Sequence, residues 1–230
     1  MRGVILQPGY LPWLGFFDQM AWADVFVLYD DVQFTKRDWR SRNRIRTANG
    51  VTWLTVPILS KGRHLQKINE AQIDYTKNWQ KKHINTIQRA YSRAQYFDQI
   101  FPHIVRILEQ KDSLLIDLLV NLIYFFREEL EIRTKLILSS TLSVKGNKNE
   151  RLVQICRNLG ITKYLTGKAA KGYLDTEFFK ANGIEVFFHE YNHPVYPQLY
   201  EGFIPNLSII DLLFNCGKSS ALYFPKKGRW

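Results

Sequence analysis

Residues 3–7 (GVILQ) and 24–29 (DVFVLY) are two short apolar runs separated by one helical segment, and this spacing constrains the fold more than any other feature. Between them Trp13, Phe16, Phe17, Met20 and Ala23 recur at intervals of three and four, the period of an amphipathic helix. The order strand, loop, helix, strand predicts a right-handed βαβ unit of a parallel sheet. The last third returns to the same rhythm. KLILSSTL (135–142), ITKYLTG (161–167) and IEVFFHEY (184–191) read as strands. Between them fall a helix opened by a capping box of Asn147 and Glu150 and ended by Gly160, and a short helix closed by Gly183.

The middle of the chain differs. Asn49-Gly50 signals a tight turn between arms at 42–47 and 51–57, hence a β-hairpin. SKGRHLQKI (60–68) reads as a basic loop. From Asn78 to about Glu131 the pattern is helical, with Trp79, Ile84, Ile87, Tyr91, Ala94 and Phe97 on one stripe. A further helix is expected to start near Pro102, a good first-turn residue, and a third behind Asp112 as N-cap. A final helix should run from Asn206 to Asn215, followed by a basic tail. The expected fold class is α/β: a Rossmann-like, mainly parallel sheet in one domain over 1–230, with a helical insert at about 78–131.

Composition narrows the function classes. A net charge of +11 attracts anions such as nucleic acid, nucleotides or phosphorylated sugars. The two cysteines, Cys156 and Cys216, sit in apolar helical patterns and read as buried thiols, without a disulfide framework or zinc spacing. The most apolar stretch, residues 114–126, is interrupted by Asp117 and Asn121 and falls short of the ~20 residues a membrane span needs. No secretory signal pattern opens the chain, so a cytoplasmic location is expected. Walker A, dinucleotide and G-x-S-x-G fingerprints are missing.

Several groups of residues suggest chemistry. Lys36, Arg37, Arg40, Arg42, Arg44 and Arg46 crowd one segment against Asp38. Alternate residues of a strand share a face. Arg42, Arg44 and Arg46 would therefore form either a phosphate clamp or a charged hairpin edge that resists aggregation. Asp30 and Asp31 end the second strand, where parallel sheets bind ligands. They read as a general base or Mg²⁺ ligand, or else as a local cap. The loop Gln7-Pro8-Gly9-Tyr10-Leu11-Pro12-Trp13 opens the first helix, whose free N–H groups favour an anion. Tyr10 and Trp13 would stack on a sugar or base. Ser139, Ser140 and Thr141 offer hydroxyls at a strand end, and Gly167, Lys168, Lys171 and Tyr173 form a basic loop. His189, His193 and Tyr196 fall in the run HEYNHPVYPQ (189–198).

The run QPGYLPWLGFFDQMAWADVFVLYDDVQFTKRDWRSRNRI (7–45) resembles the opening of WbqC-like proteins, including the Asp30-Asp31 pair and the Arg42-Asn43 dipeptide. SSTLSVKGNKNERLVQICRNLG, YLTGKAAKGYLDTEFFKANGIEV, YNHPVYPQ and the ending FIPNLSIIDLLFNCG resemble the same family, so the likeness covers almost the whole chain. Many relatives carry His before the Gln-Pro, where Leu6 stands here. Members are often encoded among genes for surface polysaccharides, and a glycine-transferase role is proposed for some. The resemblance therefore implies a transferase of O-antigen biosynthesis that adds a glycyl or other amino-acid group to a phosphate-bearing sugar. Asp31, His193 or Asp30 would be the base. Gln7, Tyr10, Trp13, Lys36, Arg37, Arg42, Asn43, Arg44, Ser140, Gly167, Lys168, Tyr173 and Tyr196 would bind substrate. A nucleotide or nucleotide-sugar would be the bound cofactor or substrate, and other polysaccharide-assembly enzymes the partners. The alternative is a protein that binds or modifies nucleic acid, with Trp39 and Trp53 stacking on unpaired bases.

Overall fold

A computed structural model describes residues 1–146 and 148–224. The expected capping residue Asn147 and the tail 225–230 lie outside the described residues. The expected βαβ unit is present: β1 (Arg2–Leu6), α1 (Leu14–Trp22) and β2 (Val25–Leu28), with Gly3 to Leu6 paired in parallel to Val25 to Leu28. β5 (Lys135–Leu138) pairs outside β2, and β6 (Lys163–Gly167) pairs on the other side of β1, followed by β7 (Glu185–His189). The parallel sheet thus has the order β5-β2-β1-β6-β7. The chain winds outward from β1 in one direction, then returns to wind in the other. Such a doubly wound, Rossmann-like sheet opens a crevice at the carboxyl ends of its strands where the direction reverses, here beside β1.

Alternation along the strands sorts the core into two layers. Val4, Phe26 and Leu165 face α1 and the helices of the middle segment. Ile5, Val25, Val27 and Tyr164 face α5 (Lys148–Leu159) and α6 (Thr176–Ala181) on the other side. The hairpin forms as expected from β3 (Arg42–Thr47) and β4 (Gly50–Thr55), with Gly50 at φ +105°, a value only glycine adopts without strain.

The helical stretch between β4 and β5 divides differently from expectation. α2 (Trp79–Tyr91) stops at Ser92, and α3 (Phe97–Glu109) begins five residues ahead of Pro102, which lies inside the helix and not in its first turn. Proline has no N–H to give the carbonyl of Asp98 four residues back. Asp98 is exposed, so water can serve that carbonyl. α4 (Leu115–Glu129) starts behind Leu114, and Asp112 is not its cap: the Asp112 carboxylate accepts from Asn121 (3.4 Å) and its carbonyl accepts from Tyr75 (2.7 Å). The final helix, α7 (Ile209–Cys216), starts three residues later than Asn206, because the Ser208 hydroxyl caps it. Both cysteines are buried free thiols, and burial pushes the Cys156 thiol up to about 12. Among the described residues no helix is long and apolar enough to cross a membrane.

Candidate functional site

A cleft of about 450 Å³ opens at the carboxyl end of β1, where the winding direction reverses. Its wall comes from the end of β1 (Leu6, Gln7), the following loop (Gly9, Pro12, Trp13), α1 (Phe16, Gln19), the turn before β3 (Trp39, Arg40), β3 itself (Asn43, Arg44) and Asn206. Every charged side chain among these is a guanidinium. Trp13, Phe16 and Trp39 supply apolar area, and the amides of Gln7, Gln19, Asn43 and Asn206 supply oriented polarity. An apolar pocket with a few convergent polar groups is the usual form of a small-molecule site.

Local bonds hold this wall in shape. Gly9 runs so close to the turn before β3 that a Cβ there would stand 3.0 Å from the Trp39 carbonyl oxygen. That carbonyl accepts from the Tyr10 N–H at 3.0 Å. Leu11 takes a left-handed φ of +46°. The loop is pinned there by the Asn43 side chain, whose Nδ2 donates to the carbonyls of Tyr10 (3.3 Å) and Leu11 (2.7 Å). The Asn43 Oδ1 accepts from the Arg44 N–H at 2.8 Å. Asp38 folds the turn by accepting from the Trp39 N–H (2.7 Å) and lies 3.5 Å from Arg40. Arg40 donates to Gln7 Oε1. Burial lowers the Arg40 pKa, and Asp38 opposes that shift. Arg44 donates to the Asn206 carbonyl at 3.3 Å. Each guanidinium keeps most of its N–H donors uncommitted.

The C-terminal segment is locked to β3 by a buried network. Asp211 accepts from the hydroxyls of Tyr91 (2.7 Å) and Tyr196 (2.8 Å) and from Gln198 Nε2 (2.9 Å). Tyr91 also accepts from the Arg46 N–H, and the Arg46 guanidinium donates to the Glu201 carbonyl. Burial raises the Asp211 pKa against the pull of these donors. The network sets residues 204–208 beside the loop, where Ile209 N–H donates to the Pro12 carbonyl and Ser208 N–H to the Arg44 carbonyl.

The expected site residues divide among several places. Gln7, Trp13, Asn43 and Arg44 meet in the cleft. Tyr10 does not face it. Its ring is fully buried against Trp79 and His83, and its hydroxyl is 2.8 Å from His83 Nδ1, so it supports the loop from beneath. Tyr196 is likewise buried, its hydroxyl committed to Asp211. The three arginines of β3 have different partners. Arg42 lies over the Trp53 ring (4.3 Å), Arg44 lines the cleft, and Arg46 is buried beneath the 198–201 segment. Lys36 and Arg37 are exposed on the preceding turn, outside the cleft wall.

Asp30 and Asp31 form a separate group at the ends of β2 and β5. Asp30 is buried and accepts from Ser139 Oγ (2.9 Å), Ser140 N–H (2.9 Å) and Ser140 Oγ (2.7 Å). Asp31 pairs with Arg151 and lies 2.5 Å from Ser139 Oγ. Gly167 ends β6, Lys168 pairs with Glu190 at 3.7 Å, and Tyr173 is exposed. None of these lines the cleft. His193 is half-buried among Tyr191, Tyr196 and Phe203. Tyr191 in turn packs edge-on against Trp13 of the cleft wall. Its Nδ1 faces the Pro194 carbonyl at 2.8 Å, which only an N–H can satisfy, so Nε2 carries the lone pair. Burial lowers its pKa.

Sequence reasoning missed Gln19, Asn206 and a buried pair, His189 Nε2 and Asp18 Oδ2, 2.6 Å apart and joining β7 to α1. A signal for α1 was present: Asp18 and Gln19 are adjacent polar residues inside an otherwise apolar helix, and both are buried.

The likeness to known proteins runs through all of these elements. A protein of Mycobacterium tuberculosis described as uncharacterised is 41% identical over 221 residues, 95% of each chain. No solved structure matches the chain. Residues 7–223, from Gln7 of the cleft wall to the turn behind α7, match the WbqC-like protein family, and with that extent of agreement the chain belongs to it.

Proposed function

We propose that this protein is a transferase of surface-polysaccharide (O-antigen) biosynthesis, and that its cleft holds a phosphate-bearing sugar acceptor to which a glycyl or similar amino-acid group is added. The observation that carries the reading is that Arg40 and Arg44 both line the cleft, where Asp38, outside the wall, pairs with Arg40 alone. Guanidiniums bind phosphate through parallel N–H bonds. The start of α1 at the same place adds the positive end of a helix dipole. Trp13, half-buried in the wall, offers apolar area to the carbon face of a sugar. In the transfer, an acceptor amine or hydroxyl attacks the activated carbonyl of the donor. The donor's leaving group departs, and the nucleophile's proton passes to a base. His193, whose Nε2 is buried without a hydrogen-bond partner, is the candidate base, linked to the cleft wall through the rings of Tyr191 and Trp13. Asp31 is committed to Arg151 and Ser139.

The test is to incubate the purified chain with nucleotide-sugars and activated glycine donors and to follow the acceptor by mass spectrometry. The reading expects a gain of one glycyl group that is lost in Arg44→Ala. An acceptor that never changes mass, together with no binding of any sugar phosphate, would overturn it. A second reading, nucleic-acid binding, draws on the exposed Trp39 and Trp53 beside these arginines.

A further inference from the structure

We infer that the ligand of the cleft is a nucleoside diphosphate-linked sugar whose base stacks on a tryptophan platform at the cleft rim. This rests on the reading of the cleft as a phosphate site. Trp39 lines the cleft yet is 44% exposed, and Trp53 on β4 is equally exposed. Their ring centroids are 5.3 Å apart at an interplanar angle of 39°. Trp53 is the direct cross-strand partner of Arg44 in the hairpin, so platform and phosphate-binding cation share one side of the ribbon. Arg42 covers part of the Trp53 ring from 4.3 Å and fixes it in place.

The two indoles touch each other while each stays 44% exposed, and contiguous exposed apolar surface marks binding surface where a singly exposed side chain does not. Their surroundings select the occupant. An isoprenoid carrier needs a long apolar groove, whereas this surface is a single pair of mutually packed indoles, with the exposed Lys36 and Arg37 just ahead of Trp39 in the chain. A flat, polar-edged base meets both demands: its face stacks on indole and its edges accept hydrogen bonds from cations. The order is then base on Trp39 beside Trp53 at the rim, diphosphate on Arg40 and Arg44, and sugar against Trp13.

The experiment measures binding of inorganic pyrophosphate, uridine diphosphate and a single-stranded oligonucleotide to the full chain by calorimetry. Uridine diphosphate should bind about five- to 150-fold tighter than pyrophosphate, the range for one base stacked on an aromatic ring. In Trp39→Ala and Trp53→Ala that ratio should fall toward one, and Trp39→Phe should retain most of it. Far-ultraviolet circular dichroism checks that each variant is folded. Equal affinity for the two probes in the wild type would overturn the platform and leave the phosphate reading standing. If neither probe binds, the phosphate reading fails and the inference falls with it. Oligonucleotide binding much tighter than uridine diphosphate, with a steep loss in salt, would assign the platform to nucleic acid instead.

Discussion

Lowering the pH should unfasten the cleft loop through one histidine. His83 of α2 is buried under the loop, with Nδ1 2.8 Å from the Tyr10 hydroxyl and an additional contact to the Thr55 backbone carbonyl. The carbonyl requires an N–H, which leaves the other nitrogen to accept from Tyr10. Only the neutral ring satisfies both bonds in this direction. Burial pushes the His83 pKa from 6.5 down to about 4, and the Thr55 carbonyl opposes the shift only in part. Between these values the unfolded chain binds a proton that the folded chain refuses. The stability from His83 is therefore complete above about pH 6.5 and is lost as the pH falls toward 4. The gap between the two values corresponds to roughly 3 kcal/mol. Urea denaturation of wild type and His83→Gln across this range isolates the term, because glutamine can accept from Tyr10 but does not titrate. The wild-type advantage over the variant should shrink by roughly 3 kcal/mol from pH 7.5 to pH 4. Parallel pH profiles for the two proteins would refute the reasoning.

Three further outcomes follow from the same geometry. Asp211→Ala strips the Tyr91 and Tyr196 hydroxyls and Gln198 of their shared acceptor, and should cost about 3 kcal/mol or more by chemical denaturation. Gly15→Ala gains up to about 1 kcal/mol of helix propensity, but its Cβ would stand 2.4 Å from the Trp13 indole. The ring should swing off Tyr191 and tryptophan emission should shift red, while unchanged emission would contradict the packing. Arg44→Ala should weaken pyrophosphate binding and flatten its dependence on salt, since each phosphate-neutralising cation adds to that slope; an unchanged slope would remove Arg44 from the site.

The local grammar of the fold was legible in the sequence, whereas the partnerships across it were not. Period-two and period-three-to-four patterns located β1, α1 and β2, and Asn49-Gly50 announced the hairpin turn. What they could not reveal is that β6 returns to pair beside β1, which is what opens the cleft at Gln7 rather than at Asp30. The aspartates at the end of β2 looked available because Ser139 and Arg151, more than a hundred residues away, are invisible to local reasoning. Alternation put Arg42, Arg44 and Arg46 on one side of β3, but their depths depend on what lies above each: an indole, open cleft and the 198–201 segment in turn. Tyr10 resembled a ligand-stacking aromatic because a loop position between prolines suggests exposure. The loop instead folds inward at Leu11 and seats that ring on α2.

Hydrogen–deuterium exchange of the full chain, with and without pyrophosphate, asks most directly whether the arginine cleft is where phosphate goes. Slower exchange should concentrate in residues 7–19, 39–44 and 206–209, the segments that build its wall. Protection appearing instead at 30–31 and 139–151, or spread along the basic loop at 60–68, would mean that Arg40 and Arg44 are not the anion site.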